Sequence, residues 1–229
     1  MKYMGSKSRY AKYLLPIILK NRKKWYYEPF VGGCNVIDKV EGLRVGVDVN
    51  YYLIQMWKAL QEGWIPPQSV TNEEYIEIRD NQDSYPPNLV GYVAINLSYA
   101  GKWWGGYARD KQNKRDYGRE AYNNVMKQVP LIKGILFEHG HYFNFIPNEP
   151  ATIYCDPPYN GVTEYKNKFE HEIFWEWCRD RAIEGNDIFI SEYNAPDDFE
   201  CIWEKEVNNT LVQNTGAKQG VEKLFVYRG

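Results

Sequence analysis

The sequence is short of the patterns that would commit it to a metal, a disulfide framework or a membrane. Its four cysteines, Cys34, Cys155, Cys178 and Cys201, lie far apart and form no Cys-x-x-Cys pair. That spacing suits neither a zinc site nor a disulfide scaffold and fits reduced thiols. The three histidines, His139, His141 and His171, lack ligand spacing to any cysteine or second acid, so no metal is expected. The apolar run Leu14 to Leu19 is far too short to span a bilayer. Lys2, Lys7 and Arg9 stand where the apolar stretch of a signal peptide would be. The expectation is a protein of the cytoplasm, with no membrane partner. Positive charge is also missing in sum: 28 basic against 30 acidic residues leave −2. Any nucleic-acid surface must therefore be a local patch.

What the chain does have is rings. Aromatics make up 16% of its 229 residues, with 20 Tyr and 8 Trp, and aromatic side chains are what proteins stack on bases. The order of elements adds to this. Residues 6–20 read as a helix that Ser6 can cap, with Tyr10, Tyr13, Leu14, Ile17 and Ile18 at helical spacing. Trp25 to Tyr27 reads as a strand that enters the turn Glu28-Pro29-Phe30-Val31-Gly32-Gly33. A second strand, Leu43 to Val49, carries Asp48 at its end, and Asn50 caps a helix to Gln61. Strand, glycine turn, helix, strand and acid open a nucleotide-binding α/β unit.

Residues 63–150 break the pattern with helical stretches, among them the capping-box start Thr71-x-x-Glu74 and the run Leu89 to Tyr99. Pro66-Pro67 and Pro86-Pro87 punctuate them. Alternation resumes with a strand at Thr152 to Cys155, a helix from Glu170 to Ile183 and a strand from Asp187 to Glu192. Two β-like segments close the chain, Phe199 to Val207 and Leu224 to Tyr227. The expected organisation is an α/β domain formed by residues 1–62 and 151–229, with 63–150 as a mostly helical insertion.

The sharpest motif is Asp156-Pro157-Pro158-Tyr159 at the end of the apolar strand Ile153-Tyr154-Cys155. Asp-Pro-Pro also occurs as plain turn chemistry. At a strand end of an α/β sheet, however, it lies where ligands bind. The prolines fix two φ angles and so aim the Asp carboxylate and the Pro157 carbonyl. Two such acceptors can grip both N–H groups of an exocyclic amine, whose lone pair is otherwise delocalised into its ring, and free it for attack. Tyr159 can stack on the base. The chemistry is in-line transfer, driven by positioning and charge placement.

Further patterns fit around it. Gly32 and Gly33 allow close backbone approach to a cofactor, and Asp48, sixteen positions after Gly32, can accept two ribose hydroxyls. This leaves open which adenosine-containing cofactor is held. The segment 101–128 carries seven basic residues (Lys102, Arg109, Lys111, Lys114, Arg115, Arg119, Lys127) against three acids, a local +4. With Trp103 and Trp104 among flexible glycines, it reads as a DNA-facing loop, although charge runs are also common on merely solvated loops. Lys2-Tyr3-Met4-Gly5-Ser6-Lys7 by itself is a chain terminus with a helix cap.

Taken together, these motifs resemble the Dam-like family of N6-adenine DNA methyltransferases, particularly its bacteriophage forms. Lys2 to Lys7 resembles the family's Lys-aromatic-x-Gly-Gly-Lys opening. The resemblance implies that Tyr3 and Lys7 touch S-adenosyl-L-methionine and that Pro29, Phe30 and Gly32 form the methionine-side loop. It further implies that Asp48 binds the ribose and that Asp156 to Tyr159 are catalytic, with Asp156 also bordering the cofactor. Double-stranded DNA is the implied partner, with Lys102, Trp103, Trp104, Arg109, Lys111, Lys114 and Arg115 on its side. The implied fold is a Rossmann-like methyltransferase sheet with a helical target-recognition insertion, and the setting a phage or restriction–modification one. Two departures stand out. Cys34 replaces the last glycine of the family's loop, and Ala100-Gly101 stands where many relatives have Asn-Gly. Rival readings are N4-cytosine or RNA N6-adenine methylation and a catalytically silent DNA-binding protein on the same fold. Cytosine N4 chemistry more often has Ser at the first position of the tetrad, and carbon-5 chemistry needs a Pro-Cys dipeptide that is absent here.

Overall fold

The computed structural model describes residues 1–110, 112, 114–159, 169–207 and 220–229. Short aromatic and β-branched runs form a seven-stranded sheet. Its strands are β1 (Trp25–Glu28), β2 (Leu43–Asp48), β3 (Ile135–His139), β4 (Thr152–Cys155), β5 (Asp187–Glu192), β6 (Phe199–Val207) and β7 (Gly220–Tyr227), in the order β3-β2-β1-β4-β5-β7-β6. The first five run parallel, and β7 lies antiparallel between β5 and β6. This is a doubly wound α/β sheet whose order reverses between β1 and β4, and ligands of such sheets bind at that switch point.

Alternation along the strands divides the core in two. Tyr26, Tyr154 and Leu224 face one cluster, while Tyr27, Ile153, Cys155 and Phe225 face the other. Among the described residues six α-helices accompany the sheet: α1 (Ala11–Ile18), α2 (Tyr51–Gln61), α3 (Asn72–Asp80), α4 (Pro87–Asn96), α5 (Tyr117–Ile132) and α6 (His171–Ile183). The first cluster takes Leu14 of α1, Trp57 of α2, Val93 of α4 and Val125 of α5; the second takes Phe174 and Trp177 of α6.

Local rules account for most boundaries. The Asn50 side chain accepts from the Leu53 amide at 3.1 Å and starts α2. Thr71 and Glu74 form the reciprocal capping box of α3, at 2.7 and 3.1 Å. Pro87 occupies the first turn of α4, where its missing N–H costs nothing. α4 crosses α2 so closely that a Cβ on Gly91 would stand 2.2 Å from the Tyr52 carbonyl oxygen.

Two expectations are corrected. The first helix begins at Ala11, not at residue 6. Tyr10 holds its cap position without a side-chain bond, while Ser6 Oγ accepts from the Ser8 amide at 3.2 Å. Gly5, at φ +79°, lies outside the helical region just before Ser6. Within residues 63–150, the helical character expected there holds for α3 and α4, but β3 pairs with β2 along its whole length, from Arg44↔Ile135 to Asp48↔His139. The last part of that segment thus returns to the sheet as an edge strand.

Candidate functional site

The turn after β1 is pinned to the end of β2. The Val31 amide donates to the Val47 carbonyl at 2.9 Å, and the Gly32 amide donates to Asp48 Oδ2 at 2.9 Å. Asp48 Oδ1 accepts from the Asn50 amide, also at 2.9 Å. Burial pushes the Asp48 pKa up against the pull of these two amides. Each carboxylate oxygen takes only one of these amides and keeps further acceptor capacity, and Asp48 lines the cleft.

The glycines of the turn have a structural task of their own. A Cβ on Gly32 would stand 2.7 Å from Tyr3 Cε1, and one on Gly33 would stand 2.6 Å from Tyr3 Cβ, so the Tyr3 side chain lies directly over this backbone. Gly32 has φ +44° and Cys34 φ +54°. Cys34, where the family pattern has glycine, thus keeps the left-handed backbone at a cost of about 1–2 kcal/mol. The loop is held from behind as well. Trp57 Nε1 donates to the Gly32 carbonyl at 3.0 Å, and Gln128 Nε2 donates to the Gly33 and Cys34 carbonyls at 3.0 and 3.1 Å.

Across the switch point, β4 ends at Cys155 and delivers Asp156 to the same space. Lys7 Nζ lies 3.1 Å from Asp156 Oδ1 and 3.5 Å from Glu222 Oε1, and its own carbonyl partner is Gly5 O at 3.3 Å. The Tyr159 hydroxyl donates to Glu222 Oε2 at 2.9 Å. Its ring packs edge-on against Tyr193 at 4.6 Å, with Lys7 Nζ 4.3 Å from the ring centre. Burial raises the Asp156 pKa to about 6: Lys7 lowers it, and Glu222 adds to the rise. Burial opposes the Lys7 charge, but Asp156 and Glu222 more than offset it and hold that pKa above its usual value. Glu28, buried at the end of β1, is pushed well above the carboxylate range by burial, even though it accepts from Tyr26 Oη at 2.8 Å.

Lys7, Glu28, Asp48, Asp156, Tyr159, Tyr193 and Glu222 line one cleft of about 860 Å³. Of the residues singled out in the sequence, Tyr3, Lys7, Phe30, Gly32, Asp48 and Asp156 to Tyr159 meet there. Pro29 does not; it is buried and off the lining. Phe30 forms an aromatic wall with Tyr142, at 5.1 Å, and Phe169, at 5.9 Å. A flat adenine ring and a ribose fit such a wall facing an acid at a strand end, so the residues present suit S-adenosyl-L-methionine. Tyr193, Glu222 and Gln128 were not legible beforehand, since none belongs to a motif and each arrives from a distant element.

The basic segment differs in part from its reading as a loop. Lys102, Arg109, Lys114 and Arg115 are exposed; Lys111 lies outside the described residues. From Tyr117 onward the segment is α5. Trp103 and Trp104 are half-buried: Trp103 stacks on Tyr52 at 6.1 Å, and Trp104 packs edge-on against Tyr75 at 5.2 Å. Arg115 is engaged by Glu120 at 2.9 and 2.7 Å. The 97–108 loop is tied to the body by backbone bonds, Trp104 N to Ala94 O at 2.9 Å and Met4 N to Gly101 O at 3.1 Å. Among the described residues no group of His, Cys, Asp and Glu is placed to hold a metal, and no helix is long and apolar enough to cross a membrane.

Comparison with known proteins adds the following. One similar solved structure is that of SMU.472 complexed with SAH, at 11% identity and a TM-score of 0.41. The match covers 97% of this chain and 52% of that one, so this chain spans about half its length. No curated protein matches the sequence. Residues 3–127, more than half of the chain, match the model of one family, and they include the Tyr3–Lys7 segment, the glycine turn and Asp48 described above. The chain belongs to the D12 class N6 adenine-specific DNA methyltransferase family.

Proposed function

We propose that this protein is a site-specific DNA methyltransferase that moves a methyl group from S-adenosyl-L-methionine to N6 of an adenine flipped out of double-stranded DNA. The observation that carries this reading is the Asp156–Tyr159 tetrad at the carboxyl end of β4, in one cleft with Asp48 and the Phe30–Gly32 turn. Asp48 would hold the ribose, with Tyr3, Lys7, Phe30 and Gly32 around the rest of the donor. When bound, the donor supplies an electrophilic methyl carbon on a sulfonium. Asp156 and the Pro157 carbonyl accept the two amine N–H groups and free the lone pair for in-line attack. Asp156 then takes the proton that the methylated amine releases. Tyr159 stacks on the base, and base stacking with Watson–Crick-edge bonds offsets the few kcal/mol of flipping. Lys102, Arg109, Lys111, Lys114 and Arg115 would meet phosphates, while Trp103 and Trp104 shape the loop that carries them. The protein would act in the cytoplasm of a bacterium or of a phage-infected host.

Expression in a host that methylates none of its DNA, followed by sequencing of modified bases, tests base, atom and context together. N6-methyladenine in a defined context is expected, and Asp156→Ala should abolish it. N4-methylcytosine as the sole product, or equal methylation by Asp156→Ala, would sink the assignment.

A further inference from the structure

Glu222 reaches the site because β7 runs against the five parallel strands. The beginning of β7 therefore lies at the edge where the parallel strands end. Its side chain is only 12% exposed, and each carboxylate oxygen has its own partner: Lys7 Nζ at 3.5 Å from Oε1 and Tyr159 Oη at 2.9 Å from Oε2. The same Lys7 Nζ lies 3.1 Å from Asp156 Oδ1. Two acids thus share one lysine, itself only 5% exposed, and the second acid also anchors the tetrad's tyrosine. A bare structural ion pair would need one carboxylate; the second leaves the cluster with one excess negative charge in a buried place, which costs stability.

We propose that Glu222 is a positioning residue for methyl transfer, holding Lys7 and the Tyr159 hydroxyl in fixed places beside Asp156. The role rests on the reading of Asp156 as the acceptor of the amine. With Glu222 in place, Lys7 is drawn between two acids and does not collapse onto Asp156 alone, so Asp156 keeps acceptor capacity for the substrate. The negative charge of Glu222 also makes Asp156 hold a proton more tightly, which suits the acceptor of the proton the amine loses. Among the described residues, the groups facing Asp156 are Lys7 from the N-terminal segment, Glu28 from β1, Tyr154 from β4, Tyr159, Tyr193 after β5, and Glu222 from β7. Of these, Glu28 and Glu222 are the other two carboxyls. Burial holds Glu28 protonated to well above the carboxylate range.

The test uses the full chain with Glu222→Gln, which keeps size and acceptor but removes charge, and Glu222→Asp, which keeps charge but withdraws it by one methylene. The Asp156 carboxyl is followed by ¹³C NMR titration without donor or DNA, and kcat and KM are measured on DNA. In Glu222→Gln the Asp156 midpoint should fall by about one pH unit and kcat at pH 8 about tenfold, with KM for the donor within about twofold. In Glu222→Asp the midpoint should stay near that of the wild type while kcat falls. An Asp156 midpoint that ignores Glu222→Gln, or a kcat unchanged in either variant, overturns the positioning role. Should Glu222→Gln fail to fold, Glu222→Asp decides through kcat alone. A wild type that methylates no adenine overturns the proposed function and this role with it. A methylating wild type with an unmoved midpoint overturns this role only.

Discussion

Replacing Asp156 by asparagine should make the protein more stable while stopping the reaction. Asp156 titrates at about 6 in the fold, against about 3.9 for an unperturbed aspartate. Its environment, Lys7 included, therefore disfavours the charged form. At about 1.36 kcal/mol per pH unit, the gap corresponds to roughly 3 kcal/mol of destabilisation once both states are ionised. The sign follows from proton binding. Between pH 4 and 6 the unfolded chain has released the proton that the folded protein still holds, so stability falls as pH rises through that window and levels off above it. Relative to an uncharged side chain at this position, the aspartate should cost about 3 kcal/mol at pH 8, about 1.5 at pH 5 and about 0.5 at pH 4. Asparagine recovers part of this, since its amide needs partners that the carboxyl did not. Urea denaturation of both proteins at the three pH values reads the difference, because Asp48 does not feel Asp156 and cancels. A variant less stable than the wild type at pH 8, or a gap that does not shrink by pH 4, would refute the reasoning.

Other perturbations follow from the same geometry. Asp48→Asn should weaken S-adenosylhomocysteine binding about 10- to 100-fold, the worth of a charged hydrogen bond or two, as read by calorimetry. Gln128→Ala strips the Gly33 and Cys34 carbonyls of their shared donor and should cost about 1–3 kcal/mol in urea unfolding, with donor affinity falling alongside; unchanged affinity would show that α5 does not shape the loop. Ala100 holds φ +56° and is exposed, so Ala100→Gly should stabilise by about 1 kcal/mol and raise Tm by roughly 2–4 °C. A drop in Tm would mean that this left-handed turn carries no strain.

The sequence disclosed what depends on neighbours along the chain. The strand end at Cys155, the caps at Asn50 and Thr71, and the acid closing β2 are local matters of propensity and hydrogen bonding. β3 escaped notice because it follows α5 closely and its sequence does not alternate: Leu136, exposed between buried Ile135 and Phe137, is as apolar as they are. Ser6 misled because a cap residue signals a helix only if the backbone after it can turn, and Gly5 beside it turns the other way. Glu222 and Gln128 were invisible for another reason. Their partners lie 63 and 95 residues away, at Tyr159 and Gly33, and no spacing rule reaches that far. The glycine turn was read as room for a cofactor, yet Tyr3 is what first fills that room.

The order of strands has a consequence for how the molecule comes into being. β1 finds its partner β4 only after more than a hundred residues have intervened, as in the pair Tyr26↔Thr152, and the anchor of Tyr159 arrives later still with β7. On the ribosome, Lys7 must therefore wait first for Asp156 and later for Glu222 before its cluster is complete. The nascent chain can assemble α2, α3 and α4 against one another early, because those contacts are near in sequence. The edge that carries the tetrad closes last, so a translation product that stops before residue 222 would lack the Glu222 anchor of Tyr159.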